Sequence, residues 1–225
     1  MKKLLWLFTM IFLVGCSSID TPSPELFSTV SGPSEELRIG IYQDRELAMD
    51  ETKAILSGIQ IELLKYGIRV NIPWIRPWTR PAFNSAGLIQ SIVKLPLEDS
   101  CDRILVIVGR NSEDFVWGLF LPEMLGGVEN VTSTKGYVVG EVGSLNQAAS
   151  GISPTEAAVH EIFHMLGCTD EDNGDKCFAK ISSLRSYAKI NRTVRKNDFF
   201  PCVNNKGIVM WDRKHAEWYL STATF

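Results

Sequence analysis

The alternation of apolar and polar residues predicts two strands and a helix in the first part of the chain. Residues 37–44 ("LRIGIYQD") alternate in this way, as expected for a strand with one buried face. Residues 45–67 carry apolar side chains at near-helical spacing, and Gly67 is a suitable helix end. Residues 68–75 ("IRVNIPWI") indicate a second strand, in which Pro73 favours a sheet edge or a bulge.

Two later stretches predict further strands. Residues 102–110 ("DRILVIVGR") are the most apolar of the predicted strands, so we expect them at the centre of a sheet. Residues 135–143 ("KGYVVGEVG") predict a short strand among glycines. The order strand, helix, strand, strand indicates a mixed sheet with a right-handed crossover.

A helix with defined ends is predicted for the segment "SPTEAAVHEIFHMLG". Ser153 is a good N-cap, the proline after it suits the first helical position, and Glu156 completes an S-x-x-E capping box. Gly167 fits the end of the helix. The two histidines of this segment, His160 and His164, therefore lie four residues apart on one helix face.

The N-terminal residues predict an exported protein. Two lysines precede an apolar run over residues 4–14 that is too short to span a bilayer, and the run ends in "LVGC" at Cys16. This segment resembles a bacterial lipoprotein signal, with an ordinary secretory signal as the alternative. The resemblance implies a signal peptide over 1–15, a lipid anchor on Cys16 and a cell-envelope location. Because serine rather than aspartate follows the cysteine, it implies the outer membrane of a Gram-negative bacterium.

Composition divides the mature chain into two parts. Residues 16–36 are rich in Ser, Thr, Pro and Glu without periodicity, which predicts a flexible tether. Residues 37–225 suffice for one domain with a substantial core. The formal net charge of the full sequence is −3, which gives no indication of a nucleic-acid partner. We expect a monomer whose partners are the membrane, through the lipid anchor, and a protein or peptide substrate.

Four further cysteines follow Cys16: Cys101, Cys168, Cys177 and Cys202. An even number of cysteines in an exported chain favours two disulfides over free thiols. Sequence alone allows three pairings. The pairing of Cys168 with Cys177 and of Cys101 with Cys202 is preferred because it closes one short local loop.

The segment "HEIFHMLGCTD" carries the candidate chemistry. Histidines at positions i and i+4 of a helix can coordinate one zinc ion, so His160 and His164 are candidate metal ligands. Glu161 flanks the same face and can accept a proton without being a ligand, which predicts a catalytic role for it. An amphipathic helix with two partly exposed histidines is the alternative interpretation.

Several residues compete for the third ligand position. Asp170 is one candidate, because it follows three residues after Gly167, which allows a sharp turn, and because a carboxylate is an acceptable zinc ligand. The acidic stretch over 170–175 also fits a solvated loop or, with incomplete spacing, a calcium loop. Glu217 and His215, near the C-terminus, are the remaining rivals.

The complete pattern H-E-x-x-H-x-x-G-x-x-D resembles the zinc motif of metzincin metallopeptidases, with the aspartate of the snapalysin-type branch at Asp170. This resemblance implies an α+β fold in which a mixed twisted sheet carries a backing helix and an active-site helix. It also implies a C-terminal subdomain with a methionine turn at Met210 and a final helix. Ordinary core packing is the alternative role for that methionine.

In this family the substrate pairs with an edge strand of the sheet. The resemblance assigns this role to "KGYVVGEV", and the candidate substrate-binding residues in it are Gly136, Tyr137, Val138 and Val139.

The implied activity is that of a zinc-dependent endopeptidase with one catalytic Zn²⁺, in which Glu161 is the general base toward a zinc-bound water that attacks the peptide bond. A non-catalytic, zinc-stabilised peptide-binding or adhesion domain of the cell envelope is the alternative. A closed structural site would have no need of Glu161.

Overall fold

The computed structural model describes residues 21–81, 85–110, 125–141 and 151–223. The strands in these ranges are β1 (Glu35–Asp44), β2 (Ile68–Asn71), β3 (Ile75–Trp78), β4 (Arg103–Val108), β5 (Gly126–Val128), β6 (Lys135–Val139), β7 (Cys202–Val203) and β8 (Val209–Met210). The α-helices are α1 (Pro24–Ser28), α2 (Met49–Lys65), α3 (Ser85–Val93), α4 (Pro154–Met165), α5 (Gly174–Ile190) and α6 (Arg213–Thr222), and a π-helical turn over Asn191–Arg195 extends α5. Among the helices of these ranges, none has the length and apolar character needed to cross a membrane.

Six strands form one mixed, mostly parallel sheet. The order is β2-β1-β4-β6-β5, and β3 continues the β2 side by pairing with the second half of β1. The pairs of β1 with β4 and of β4 with β6 are parallel, whereas β5 runs antiparallel to β6. The prediction of a mixed sheet is confirmed, and the mixed α/β architecture is compatible with the predicted α+β class. The apolar stretch predicted to be central is β4, whose six residues are all buried.

The strand that was predicted to lie at the edge of the sheet lies inside it, so this prediction is wrong. Residues 135–139 form β6, which pairs with β4 on one side and β5 on the other, so Gly136, Tyr137, Val138 and Val139 lie inside the sheet. Among the described strands, β5 forms this edge. The turn between the two strands is held by the buried Glu129, whose carboxylate accepts hydrogen bonds from the backbone N–H groups of Thr132 and Thr134.

The alternation along β4 separates two apolar cores. Leu105 and Ile107 belong to a core with α2, α4 and α5. Ile104, Val106 and Val108 belong to a second core with α3, α6 and the β7–β8 hairpin. Because alternate side chains of a strand point to opposite faces, the helix with the two histidines and the C-terminal helix lie on opposite faces of the sheet.

The predicted tether over 16–36 is too long, because its second half is folded. The hydroxyl of Ser23 donates to Asp175 of α5 at 3.0 Å, and the Phe27 ring packs edge-on against Tyr66 and Phe178. Glu35 already pairs in β1, two residues before the predicted start of the domain. The proline- and serine-rich composition did not predict the short helix α1, which aromatic contacts attach to the domain. The predicted signal peptide and Cys16 lie outside the described residues.

One of the two predicted disulfides is present. Cys168 and Cys177 are bonded, whereas Cys101 and Cys202 are free and buried, so their predicted pairing is wrong. Burial raises the pKa of Cys101 to about 11 and that of Cys202 to about 12. Both side chains are therefore protonated thiols, which are poor nucleophiles for disulfide exchange.

Candidate metal centre

The helix α4 begins and ends as its sequence predicts. The Ser153 hydroxyl accepts from the Glu156 N–H at 3.2 Å, while the Glu156 carboxylate accepts from the Ser153 N–H at 2.8 Å. These reciprocal bonds satisfy two backbone donors of the first turn. The hydrogen bonds from Ser153 also hold the pKa of the Glu156 carboxyl below its usual range. The capping box thus fixes the register of the helix that carries His160 and His164.

The turn after α4 returns the chain toward the histidines. Gly167 has φ of +88°, a left-handed conformation that favours glycine. The N–H of Gly167 donates to the carbonyl of His164 at 2.9 Å, and the N–H of Cys168 donates to that of Phe163 at 3.0 Å. This is the Schellman pattern of helix ends. It explains physically why the motif has a glycine three residues before Asp170.

Three candidate ligand atoms meet at this place. The Nε2 atoms of His160 and His164 are 2.9 Å apart, and their rings are perpendicular. The Asp170 Oδ1 atom lies 3.6 Å from the first Nε2 and 3.3 Å from the second. Within the described residues these are the His, Cys, Asp or Glu side chains that form a possible metal-binding group. The third position predicted from the sequence is therefore brought to the two histidines.

The spacing and the chemistry of this group fit zinc. Tetrahedral ligands at about 2.0–2.1 Å from zinc lie about 3.3 Å from one another, and the three separations, 2.9, 3.3 and 3.6 Å, surround this value. The Nδ1 atom of His164 lies 3.0 Å from the Cys168 carbonyl, which requires a proton on Nδ1. In the neutral imidazole the lone pair is then on Nε2, the atom that faces Asp170.

His160 is partly buried, and this affects its charge. Burial lowers its pKa, the neighbouring His164 lowers it further, and Asp170 acts in the opposite direction. The neutral form that burial favours is the form that binds metals.

Glu161 lies beside the group but is not part of it. Its side chain is buried, with 3% relative exposure, and packs over Gly126 of the edge strand. A Cβ atom placed on Gly126 would lie 2.5 Å from the Glu161 Oε1 atom, so no larger residue fits without moving the carboxylate. Burial raises the pKa of Glu161 to about 8, and the charge of Asp170 adds to this shift. A cation at the three ligand atoms acts in the opposite direction and favours the carboxylate form.

A cavity of about 720 Å³ opens next to His164 and Asp170. Its walls include Val128 at the end of β5, Tyr187 of α5, and Val203 of the β7–β8 hairpin. Two helices, the sheet edge and the C-terminal hairpin thus meet around one space beside the candidate ligands.

The two rival candidates for the third ligand, His215 and Glu217, have other partners. His215 packs against Tyr219 of its own helix, with 5.2 Å between ring centroids. The Glu217 carboxylate accepts from the Leu97 N–H at 2.8 Å and lies 3.0 Å from Lys135 Nζ. Both belong to α6, which packs on the opposite face of the sheet.

Asp172, an acidic neighbour of Asp170, also has other partners. The carboxylate of Asp172 accepts from the Thr169 N–H at 2.7 Å and pairs with Lys180. It therefore stabilises the turn that carries Asp170.

Met210 is fully buried, but in the core on the sheet face opposite to α4. It pairs with Cys202 across the β7–β8 hairpin. These contacts are those of the alternative interpretation, ordinary core packing.

Sequence reasoning missed two contributors to the site. Gly126 offers no signal of its own, because its importance arises from a side chain that approaches across the sheet edge. Arg103 is fully buried and donates to the carbonyls of Met165, at the end of α4, and Pro201. An arginine at the start of an apolar strand could have been recognised as unusual, since such residues are rarely buried without partners.

Comparison with family models and with curated proteins finds no match to this chain.

Proposed function

We propose that this protein is a zinc-dependent endopeptidase of the metzincin type. The observation that supports the proposal is the convergence of two imidazole nitrogens and one carboxylate oxygen beside a buried glutamate at a sheet edge. His160, His164 and Asp170 would hold the metal. When bound, zinc would supply a Lewis acid that polarises the scissile carbonyl and lowers the pKa of a water molecule.

Glu161 is assigned the proton transfers. Its carboxylate accepts a proton from the attacking water and delivers it to the amine that leaves. The burial of this side chain supports the assignment, because a carboxyl shielded from solvent has a pKa closer to the working range of a general acid and base. A non-catalytic zinc-binding domain would use the same ligands but would have no role for this group.

We assign substrate binding to β5 rather than to β6. Among the described residues, β5 pairs on one side only, so backbone N–H and C=O groups on its other side are available to an extended peptide. A peptide that adds to this edge would pass Gly126 and hence Glu161. Recognition through the backbone gives affinity with little sequence preference.

The lipid anchor belongs to the same proposal. Lipidation of Cys16 would hold the peptidase at the cell envelope. The outer membrane is the proposed location because Ser17, rather than an aspartate, follows Cys16. Metabolic labelling with palmitate tests this point, because a Cys16→Ala variant should lose the label.

The test of the activity compares wild type with Glu161→Gln on unfolded casein. We expect wild type to cleave casein, a zinc chelator to abolish cleavage, and added zinc to restore it. The variant should retain one zinc per chain and lose at least a hundredfold in kcat/KM, since it keeps the shape of the side chain but cannot accept a proton. Undiminished cleavage by Glu161→Gln would contradict the mechanism.

A further inference from the structure

The disulfide between Cys168 and Cys177 encloses the candidate ligand Asp170, and the backbone of Cys168 contacts the candidate ligand His164. It joins the turn after α4 to the first turn of α5 across a sequence separation of 9, and Asp170 lies within the enclosed segment. Both cysteines are buried in the core that α4 and α5 share.

The first contact is with His164. The Cys168 carbonyl accepts from the Nδ1–H of His164 at 3.0 Å. This hydrogen bond fixes the orientation of the ring and leaves Nε2 as the atom that can bind a metal. Any movement of the Cys168 backbone would therefore be transmitted to the His164 ring.

The second contact is through the loop that carries Asp170. The Asp170 side chain is 69% exposed, so core packing cannot determine its position. The loop is held by short polar contacts, namely the Asp172–Thr169 hydrogen bonds and the Asn173 cap on the Lys176 N–H at 3.0 Å. The disulfide is the covalent link that ties this polar loop to the buried core.

We propose that the Cys168–Cys177 disulfide is a positioning element of the metal site. It holds the Cys168 carbonyl against His164 and shortens the loop that carries Asp170, so that both ligands are in place before the metal arrives. Loss of a hydrogen-bonding partner of a metal ligand weakens metal binding by about 10–100-fold, and the Cys168 carbonyl is such a partner of His164. This inference rests on the proposed zinc site and adds a structural reason for the disulfide.

The test compares zinc affinity in wild type and in the Cys168→Ser/Cys177→Ser double variant, by competition with a chromophoric chelator. Variants are preferable to a thiol reductant, because thiols bind zinc themselves. The absorption spectrum of the cobalt(II) form provides a second readout, since it reports the coordination geometry and is insensitive to fold stability alone.

The matched control is Ile59→Ala. Ile59 is 1% exposed and belongs to the same core, but it lies on α2. Its truncation destabilises the core without altering the ligand loop. We expect the double variant to lose at least tenfold in zinc affinity and to change its cobalt spectrum, and the control to match wild type in both.

A folded double variant with wild-type zinc affinity and an unchanged cobalt spectrum would overturn the inference, as would an equal loss of affinity in Ile59→Ala. If the serine pair does not fold, the Cys168→Ala/Cys177→Ala pair replaces it. If that pair fails too, folded wild type is reduced with a water-soluble phosphine, which becomes the phosphine oxide with oxygen from water as the two thiols form. Retention of zinc at unchanged affinity after complete reduction then overturns the inference. Wild type that binds no zinc would instead remove the proposed function itself.

Discussion

At the residue scale, each group of the site has a role that its surroundings define. The two histidines present Nε2 atoms toward one carboxylate oxygen, and Glu161 lies apart from them over the backbone of Gly126. The exposure of Asp170 contrasts with the burial of Glu161, although both are acidic residues of the same motif. Burial raises the pKa of Glu161 to about 8, whereas the exposed Asp170 side chain is accessible to a cation.

Replacing Asp170 should distinguish it from its acidic neighbours. We expect Asp170→Ala to lower zinc affinity at least a hundredfold while the chain remains folded, because one of three ligands is lost. Zinc per chain, measured after dialysis against a weak chelator, checks this result. The control is Glu171→Ala, an adjacent carboxylate outside the ligand group, which should retain its zinc. Full zinc retention by Asp170→Ala would exclude it as the third ligand.

Adding a methyl group to β5 should displace Glu161, the proposed general base. In Gly126→Ala the new Cβ would lie 2.5 Å from the Glu161 carboxylate, so the carboxylate must move. Displacements of about 1 Å can cost on the order of a hundredfold in rate, and we expect a loss of this size in kcat with zinc content unchanged. Gly127→Ala is the control, because its Cβ would meet the Tyr137 ring, at 3.1 Å, instead of Glu161. Equal kcat losses in both variants would count against the Glu161 contact as the cause.

At the element scale, the helix α4 and the turn after it form one unit. The capping box begins the helix, Gly167 ends it, and the left-handed turn directs the next three residues back toward the histidines. The sheet edge supplies the other half of the site through β5. Neither element alone could place a carboxylate beside both the candidate metal ligands and the strand that, among the described residues, forms the sheet edge.

Substituting the turn glycine should cost stability and metal binding together. Gly167 has open space around its Cα, so Gly167→Ala meets no clash and pays only the left-handed backbone cost of about 1–2 kcal/mol. We expect the free energy of unfolding to fall by that amount and zinc affinity to decrease. Gly32→Ala is a close control, with φ of +82°, open surroundings and a position far from the motif in the chain. It should lose similar stability but bind zinc as wild type does, and a failure of this separation would contradict the proposed role of the turn.

At the scale of the whole molecule, distant segments hold the site in place. Arg103 connects β4 to the end of α4 and to the segment before the C-terminal hairpin, entirely through backbone carbonyls. The N-terminal segment packs on α5, where Arg185 donates to the carbonyls of Ser31 and Pro33. The segment that would lead to a lipid anchor is thus attached to the helix that bears Cys177.

Truncating the N-terminal aromatic should therefore destabilise the fold. Phe27 is half-buried between Tyr66 and Phe178, and we expect Phe27→Ala to reduce the free energy of unfolding by about 2 kcal/mol. Chemical denaturation monitored by circular dichroism measures the change. Glu25→Ala, an exposed position on the same short helix, should change stability little. If Phe27→Ala is equally neutral, residues 21–34 behave as the flexible tether that their composition predicts.

The sequence by itself determined the local features, because local features depend on neighbours in the chain. Helix spacing placed His160 and His164 on one face, the capping box and Gly167 marked the ends of α4, and the short loop favoured the Cys168–Cys177 disulfide. The run of apolar residues likewise predicted that β4 would be buried at the centre of the sheet.

The tertiary structure alone decided what depends on residues far apart in the chain. The order of the described strands made β5 the sheet edge, which no pattern in "GGV" reveals, and Met210 belongs to the core on the sheet face opposite to the helix with the histidines. Aromatic contacts fixed an N-terminal segment whose composition suggests disorder, and the fold leaves Cys101 and Cys202 as buried free thiols. Pairing and burial are collective properties of the folded chain, so residue type and spacing specify them only when the whole fold is assembled.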